Sequence, residues 1–393
     1  MIGFTRLMCN MGTVSAEISY AEDAEAKAAH EVRELHFSSD LRPLVVWNVT
    51  RRCNLRCSHC YLDATSAAAA GELTTAEARA MIADLAEMGA PVLLFSGGEP
   101  LLRDDIFELA PYAAAKGVRP VLSTNGVLIT DEVAQRIRAA GFQYAGISID
   151  GTEEHHDRFR GAPGAWRRSW EGLERCLKHG VRGGVRFTLT RDNADQLPAV
   201  LEETVRRGVP RFCMYHLVYA GRGAAMAAQD VPVSKKRAVV EWLADRAREL
   251  GERGVELEIL TTDNHADGIY LWQRIAAAGG DGDEVMDLLR RHGGCSAGRK
   301  FANVGPTGDV HPCQFWTHVS LGNIRQRRFS EIWNDDSSLI GQLRARDTLL
   351  GGKCGRCRFQ EVCGGCRVRA QAITGDVWAQ DPACYLSEEE TAR

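Results

Sequence analysis

The sequence predicts an α/β fold, a partial (β/α)6 barrel followed by a loop-rich, cysteine-dense unit, on three observations. Apolar strand-like runs alternate with amphipathic helical runs from Leu44 to Ile259. The polar, glycine and cysteine motifs of that region fall where strand-like runs end. From Cys295 to Cys384 the alternation stops, and seven cysteines crowd into loop-rich chain.

Each element has its local reason. Leu44–Val49 is continuously apolar, as in a parallel strand covered on both faces. Thr74–Met88 reads as a helix, with Thr74 or Thr75 as N-cap and Glu77 placed for a capping box. Strand Pro91–Phe95 leads to Gly97-Gly98-Glu99-Pro100, and helix Asp104–Lys116 follows. Strand Arg119–Ser123, helix Asp131–Ala140, strand Tyr144–Ile149 and helix Trp166–His179 continue the alternation. Strand Gly184–Leu189, helix Leu197–Arg207, strand Arg211–Leu217 and helix Lys235–Gly251 complete it, with Val255–Ile259 extended after them. Such repeats imply parallel strands joined by right-handed crossovers. Six or seven units fall short of eight, so a partial barrel is expected. Its chemistry should lie at the C-terminal ends of the strands. The expected organisation is an N-terminal extension (1–40), a barrel (41–260), a helical link (261–294) and a C-terminal unit (295–393). Within the extension, Met1 to Cys9 reads as a short strand or cover, and Ser15 to His36 as a helix. Cys9, Cys176 and Cys213 read as buried thiols.

Bulk properties narrow the class. A net charge of −4 over 393 residues offers no broad basic field for nucleic acid. No apolar run approaches the roughly 20 residues that span a bilayer, and no secretory segment opens the chain. A cytoplasmic protein without membrane or nucleic-acid partners is therefore expected. Its thirteen cysteines then read as metal ligands and core thiols, not as disulfides.

The chain is organised around Cys53-Asn54-Leu55-Arg56-Cys57-Ser58-His59-Cys60-Tyr61. Three thiolates at this spacing can hold three corners of a cubane iron–sulfur cluster. The remaining iron then lacks a protein ligand, and an open metal position is where a small molecule can react. Cys53, Cys57, Cys60 and the aromatic Tyr61 resemble the signature of the radical S-adenosylmethionine (SAM) superfamily. That resemblance implies a [4Fe-4S] cluster whose open iron takes SAM, and reductive cleavage of SAM to a 5′-deoxyadenosyl radical. It implies an external electron donor such as flavodoxin or ferredoxin. Gly97-Gly98-Glu99-Pro100 resembles the family's glycine-rich SAM motif, with Glu99 helping by charge or bracing the loop. By the same resemblance Ser123, Thr124 and Asn125 face the SAM ribose or carboxylate, with Ser148 and Asp150 as similar candidates. Arg191 is a candidate partner for the SAM carboxylate. Tyr61 is expected near the adenine, and His59 outside the ligand set.

The C-terminal unit reads Cys354-x2-Cys357-x5-Cys363-x2-Cys366, flanked by Cys295, Cys313 and Cys384. It resembles the SPASM extension of radical SAM enzymes, which carries one or two auxiliary iron–sulfur clusters. Gly305, Gly308 and Pro312-Cys313 resemble that extension's β-hairpin. The family's usual Cys-x3-Cys ending is Cys-x2-Cys here, which leaves the partition of ligands open. Carried over by position, Cys354, Cys357, Cys363 and Cys384 bind one cluster. Cys295, Cys313 and Cys366 bind another, with a fourth ligand missing or supplied from elsewhere.

The segments Met1–Cys9 and Val45–Cys53 are similar to radical SAM proteins of haem and d1-haem biosynthesis, the deacetylase acting on didecarboxysiroheme above all. The expected substrate is a siroheme-derived tetrapyrrole. Arg51, Arg52, Arg56, Arg158 and Arg160 near the motif loops are candidate partners for its carboxylates. A SPASM peptide maturase is the alternative enzyme, and a non-catalytic iron–sulfur or zinc scaffold the alternative outside enzymes.

Overall fold

The computed structural model describes residues 1–9 and 42–392, and the expected helix Ser15 to His36 lies outside them. A sheet of eleven strands runs through the described residues. They are β1 (Ile2–Gly3), β2 (Leu44–Asn48), β3 (Val92–Ser96), β4 (Arg119–Thr124), β5 (Tyr144–Ser148) and β6 (Arg182–Leu189). Then come β7 (Arg211–His216), β8 (Glu258–Thr262), β9 (Phe301–Val304), β10 (Asp309–His311) and β11 (Gly322–Asn323). The spatial order is β1-β8-β7-β6-β5-β4-β3-β2-β9-β10-β11, so the sheet is open. Neighbours from β2 to β8 are parallel. The extended stretch expected at Val255–Ile259 is a further parallel strand, β8, and it crosses residue 260 to reach Thr262.

Alternation along the strands separates two faces. Val45, Trp47, Leu93, Phe95, Leu122, Ile147, Val185, Phe187, Phe212 and Met214 join the main apolar core under the helices. Their intervening neighbours face the inside of the curved sheet. There the chain places Ser96, Ser123, Ser148, Arg186, Thr188 and Tyr215. Helices Thr75–Glu87, Ile106–Ala115, Asp131–Ala139, Ala165–Lys178, Leu197–Arg206 and Val233–Glu252 occupy the crossovers. Thr74 caps the first of these in a reciprocal box with Glu77. The start of the chain pairs antiparallel with β8 and continues as helix Phe4–Cys9. Cys9 is half-buried there, and its thiol donates to the Ala247 carbonyl.

Two features lie beyond the sequence reading. Helix Glu153–Arg160 is polar except for Phe159 and lacks the apolar stripe that marks a helix in sequence. The C-terminal unit is joined to the barrel's own sheet, because β9 pairs parallel with β2 with Val45 opposite Ala302. β9 and β10 form the hairpin expected around Gly305 and Gly308. Helices Ala266–Ala277 and Gly282–His292 form the link. No helix among the described residues is long and apolar enough to cross a membrane.

Candidate active site and cysteine clusters

The Cys53–Tyr61 loop leaves the end of β2 and its backbone is held by hydrogen bonds on three sides. Cys53 donates its N–H to the Thr65 carbonyl at 2.7 Å. Arg56 and Ser58 donate to the carbonyls of Arg160 and Phe159, at the end of helix Glu153–Arg160. Arg222 clamps the third side, with its Nε 2.8 Å from the Cys57 carbonyl and its Nη1 2.9 Å from that of Ala64. A loop held this way presents its side chains in fixed directions before any ligand arrives.

Cys53, Cys57 and Cys60 all line one cleft of about 990 Å³, part of it open to solvent. Each sulfur has a donor beside it: the Leu55 N–H on Cys53, Arg160 Nη1 on Cys57 and the Ala64 N–H on Cys60. Such bonds favour thiolate ligands. Burial pushes the free Cys53 thiol up to about 12, so binding of metal there must displace a proton. The three thiols edge the cleft, which leaves open space beside them. His59 also borders the cleft, but its ring lies flat on Phe159, centroids 4.6 Å apart, and burial lowers it to about 4.

Gly97 and Gly98 border the cleft, and their backs explain why they are glycines. A Cβ on Gly98 would overlap the Arg52 carbonyl, and one on Gly97 would lie 2.6 Å from the Thr50 oxygen. Gly98 and Glu99 donate N–H bonds of 2.8 Å to those same two carbonyls. The glycines thus let two backbones touch behind the cleft. Gly98→Ala is expected to lose roughly 1–3 kcal/mol through overpacking against backbone. Iron bound per chain should fall with it, as read by anaerobic thermal unfolding and metal analysis.

Glu99 does not reach the cleft. It is buried, and its carboxylate accepts from Thr124 Oγ1 at 2.6 Å, the Asn125 N–H at 2.9 Å and the Leu101 N–H at 3.2 Å. Burial pushes it up to about 7 despite those donors. It braces three loops against one another. Asp150, expected at the site, lies behind it: buried, ion-paired with Arg160 and accepting the Thr188 N–H at 2.7 Å. Arg191 is on the surface, and its Nη2 donates to the Ala228 carbonyl. It is not among the residues that line the cleft.

Tyr61, Ser123, Thr124, Asn125 and Ser148 do line the cleft. Tyr61 is oriented by hydrogen bonds to Asn48 Oδ1 and Ser96 Oγ, and Phe315 meets its ring edge-on. Among the five arginines picked out near the motif loops, Arg160 alone lines the cleft. Arg51 and Arg158 pair with Asp63 and Glu154 at the surface. The cleft's other cations are Arg186 on β6 and Arg222 after β7. Inward alternation on β6 was a usable signal for Arg186. No sequence signal marked Arg222, or Gln314 and Phe315, which the C-terminal unit contributes to the cleft.

The seven cysteines of the C-terminal unit fall into two neighbouring groups. Cys354, Cys357, Cys363 and Cys384 line a second cavity of about 410 Å³. Cys295, Cys313 and Cys366 lie within electrostatic reach of one another, and burial raises the Cys366 thiol to about 12. Asp381 joins the groups: it accepts the Cys366 N–H at 2.7 Å, and its own N–H points at Cys354 Sγ. Arg369 grips the same carboxylate with two bonds, at 2.8 and 3.0 Å. The donor sets, four thiols around one cavity and three beside it, fit iron–sulfur chemistry.

Comparison with known proteins agrees with this geometry. Residues 47–204 match the radical SAM superfamily model, and residues 295–366 match SPASM, an iron–sulfur cluster-binding domain. Fe-coproporphyrin III synthase of Methanosarcina barkeri is 44% identical, covering 99% of this chain and 98% of that protein. Pre-heme d1 synthase of Dinoroseobacter shibae is 42% identical, covering 89% and 88%. Among solved structures, SuiB of Streptococcus suis bound to its precursor peptide aligns with a TM-score of 0.71. It covers 88% of this chain and 76% of its own, at 18% identity, which is a likeness of fold alone.

Proposed function

The chain belongs to the radical SAM superfamily and carries a SPASM iron–sulfur domain, and from that premise we propose that it removes or alters side chains of a siroheme-derived tetrapyrrole. The observation that carries the reading is the pair of relatives above 40% identity, both named for tetrapyrrole products and matched over most of their length.

It is an enzyme that uses a [4Fe-4S] cluster and SAM, with auxiliary iron–sulfur binding in the SPASM domain. When bound, cluster and SAM together supply a 5′-deoxyadenosyl radical able to take hydrogen from an unactivated C–H bond. The protein's contribution is to bind, orient and keep water out. In this reading Cys53, Cys57 and Cys60 hold the SAM-binding cluster. Gly97, Gly98, Tyr61, Ser123, Asn125 and Ser148 form the wall against which SAM lies. Glu99 and Asp150 fix that wall from behind. Cys354, Cys357, Cys363 and Cys384 hold one auxiliary cluster, and Cys295, Cys313 and Cys366 hold three corners of a second. Residues 41–260 form the radical unit and 295–393 the auxiliary one, joined by 261–294. Phe315 and Gln314 close the cleft from the auxiliary side, which brings the two cofactor regions to one substrate. A flavodoxin or ferredoxin in the cytoplasm supplies electrons.

The test is anaerobic incubation with SAM, dithionite and a panel of siroheme derivatives, read by mass spectrometry. Loss of acetate-sized fragments, with 5′-deoxyadenosine formed in step, is expected. Unchanged porphyrinoids alongside modification of a precursor peptide would replace this reading with peptide maturation.

A further inference from the structure

We propose that Arg186 is the anchor for a carboxylate of the substrate, at the floor of the radical cleft. The inference rests on the tetrapyrrole reading above and adds to it a recognition residue.

Arg186 lies mid-strand on β6, on the face that looks into the curved sheet, since Val185 and Phe187 on either side join the outer core. Two glycines make this position possible. A Cβ on Gly146, its neighbour on β5, would lie 2.7 Å from Arg186 Cδ. Gly184, two residues earlier on the same face, leaves room for the Tyr144 hydroxyl. The guanidinium is then oriented by neutral groups. Its Nε donates to Tyr215 Oη at 2.8 Å, and its Nη1 contacts Ser123 Oγ. Tyr215, Ser123 and Arg186 all border the cleft.

What the guanidinium lacks is an anion. Arginine remains charged at any pH a protein meets, and a charge held away from bulk water is costly unless paired. The other arginines lining this cleft are matched: Arg160 pairs with Asp150, and Arg222 with Asp63. Among the described residues no carboxylate forms an ion pair with Arg186. Asp263 feels its charge but makes no hydrogen bond to it. Among the described residues Nη2 has no hydrogen-bond partner, and the side chain retains accessible surface, which the cleft receives. A planar fork with two sides tethered and one side open toward a cavity suits a carboxylate. Ser123 and Ser148 of the SAM wall stand beside Arg186, the first in contact and the second in register on β5, so its open side faces the space next to SAM. A carboxylate arriving on the second, larger ligand is the complement it fits.

Iron coproporphyrin III and its tetramethyl ester are titrated into anaerobic holoenzyme, following the Soret band. Wild type should bind the acid well and the ester weakly. Arg186→Gln should weaken the acid roughly ten- to a hundredfold, leave the ester unchanged and keep the SAM-induced change in the cluster's EPR spectrum. Arg186→Lys, which keeps charge without the fork, should fall between. The inference is overturned if Arg186→Gln binds the acid as wild type does, if acid and ester weaken equally, or if the EPR response to SAM disappears, since the anion would then be SAM's own. If wild type binds neither porphyrin, the tetrapyrrole reading itself falls and takes this anchor with it. A retained EPR response and unchanged melting in Arg186→Gln exclude misfolding as the cause of weakened binding.

Discussion

Cys57→Ala is expected to abolish SAM cleavage while the C-terminal unit keeps its iron. Cys57 is the middle of three thiols on one fixed loop and is itself buried. Its sulfur is the one that Arg160 donates to, and Arg160 is in turn ion-paired with Asp150. Removing it leaves two thiols, too few to grip a cubane by three corners. The loop itself should persist, because its backbone bonds to Thr65, Arg160, Phe159 and Arg222 do not involve the sulfur. The measurements are 5′-deoxyadenosine release under dithionite, and iron and sulfide per chain. Expected is no detectable product and the loss of one cubane's worth of iron. Cleavage that persists at wild-type rates would remove the Cys53–Cys60 loop from the chemistry altogether.

The largest loss of stability is expected from Asp381→Ala. Asp381 and Arg369 are both almost fully enclosed, with side-chain exposures of 2% and 0%. The carboxylate receives two bonds from Arg369 and two N–H bonds, from Cys366 and Ala383. Arg369 reaches one further acceptor, the Leu217 carbonyl at the end of β7. Taking away one partner of such a pair leaves an uncompensated buried charge, at a cost of about 3–5 kcal/mol. The damage should concentrate around Cys354–Cys384, where Asp381 links the two cysteine groups. Hydrogen exchange under anaerobic conditions should show protection lost at 354–384 and retained in β2 to β6. Asp381→Asn, which keeps the volume and an acceptor, should lose less. Equal protection in Asp381→Ala and wild type would show the pair to be dispensable.

Much of this was legible along the chain. The Cys-x3-Cys-x2-Cys loop after an apolar strand, the Gly97-Gly98 turn and the regular βα alternation each depend on near neighbours, and near neighbours are what a sequence displays. The capping box at Thr74 and Glu77 is likewise a matter of three residues. The grouping of Cys354, Cys357, Cys363 and Cys384, expected by resemblance alone, corresponds to one cavity wall.

Other parts needed the folded chain. Period-2 alternation tells which side of a strand a residue faces, but not how deep it sits or what meets it from other strands. Asp150 looks like a ligand contact in sequence and Glu99 like either a contact or a brace; both are buried braces, because their partners Thr124, Asn125 and Arg160 come from the end of β4 and from a helix. Arg191 follows a strand end yet turns to the surface, while Arg186, mid-strand on the inward face, reaches the cleft through space left by Gly146. Sequence by itself thus determined the kind of chemistry, since cluster ligation is written in short cysteine spacings. Tertiary structure alone decided which cations reach the cleft and which carboxylates brace it from behind, because those meetings join residues tens to hundreds of positions apart and follow from the curvature and register of the sheet.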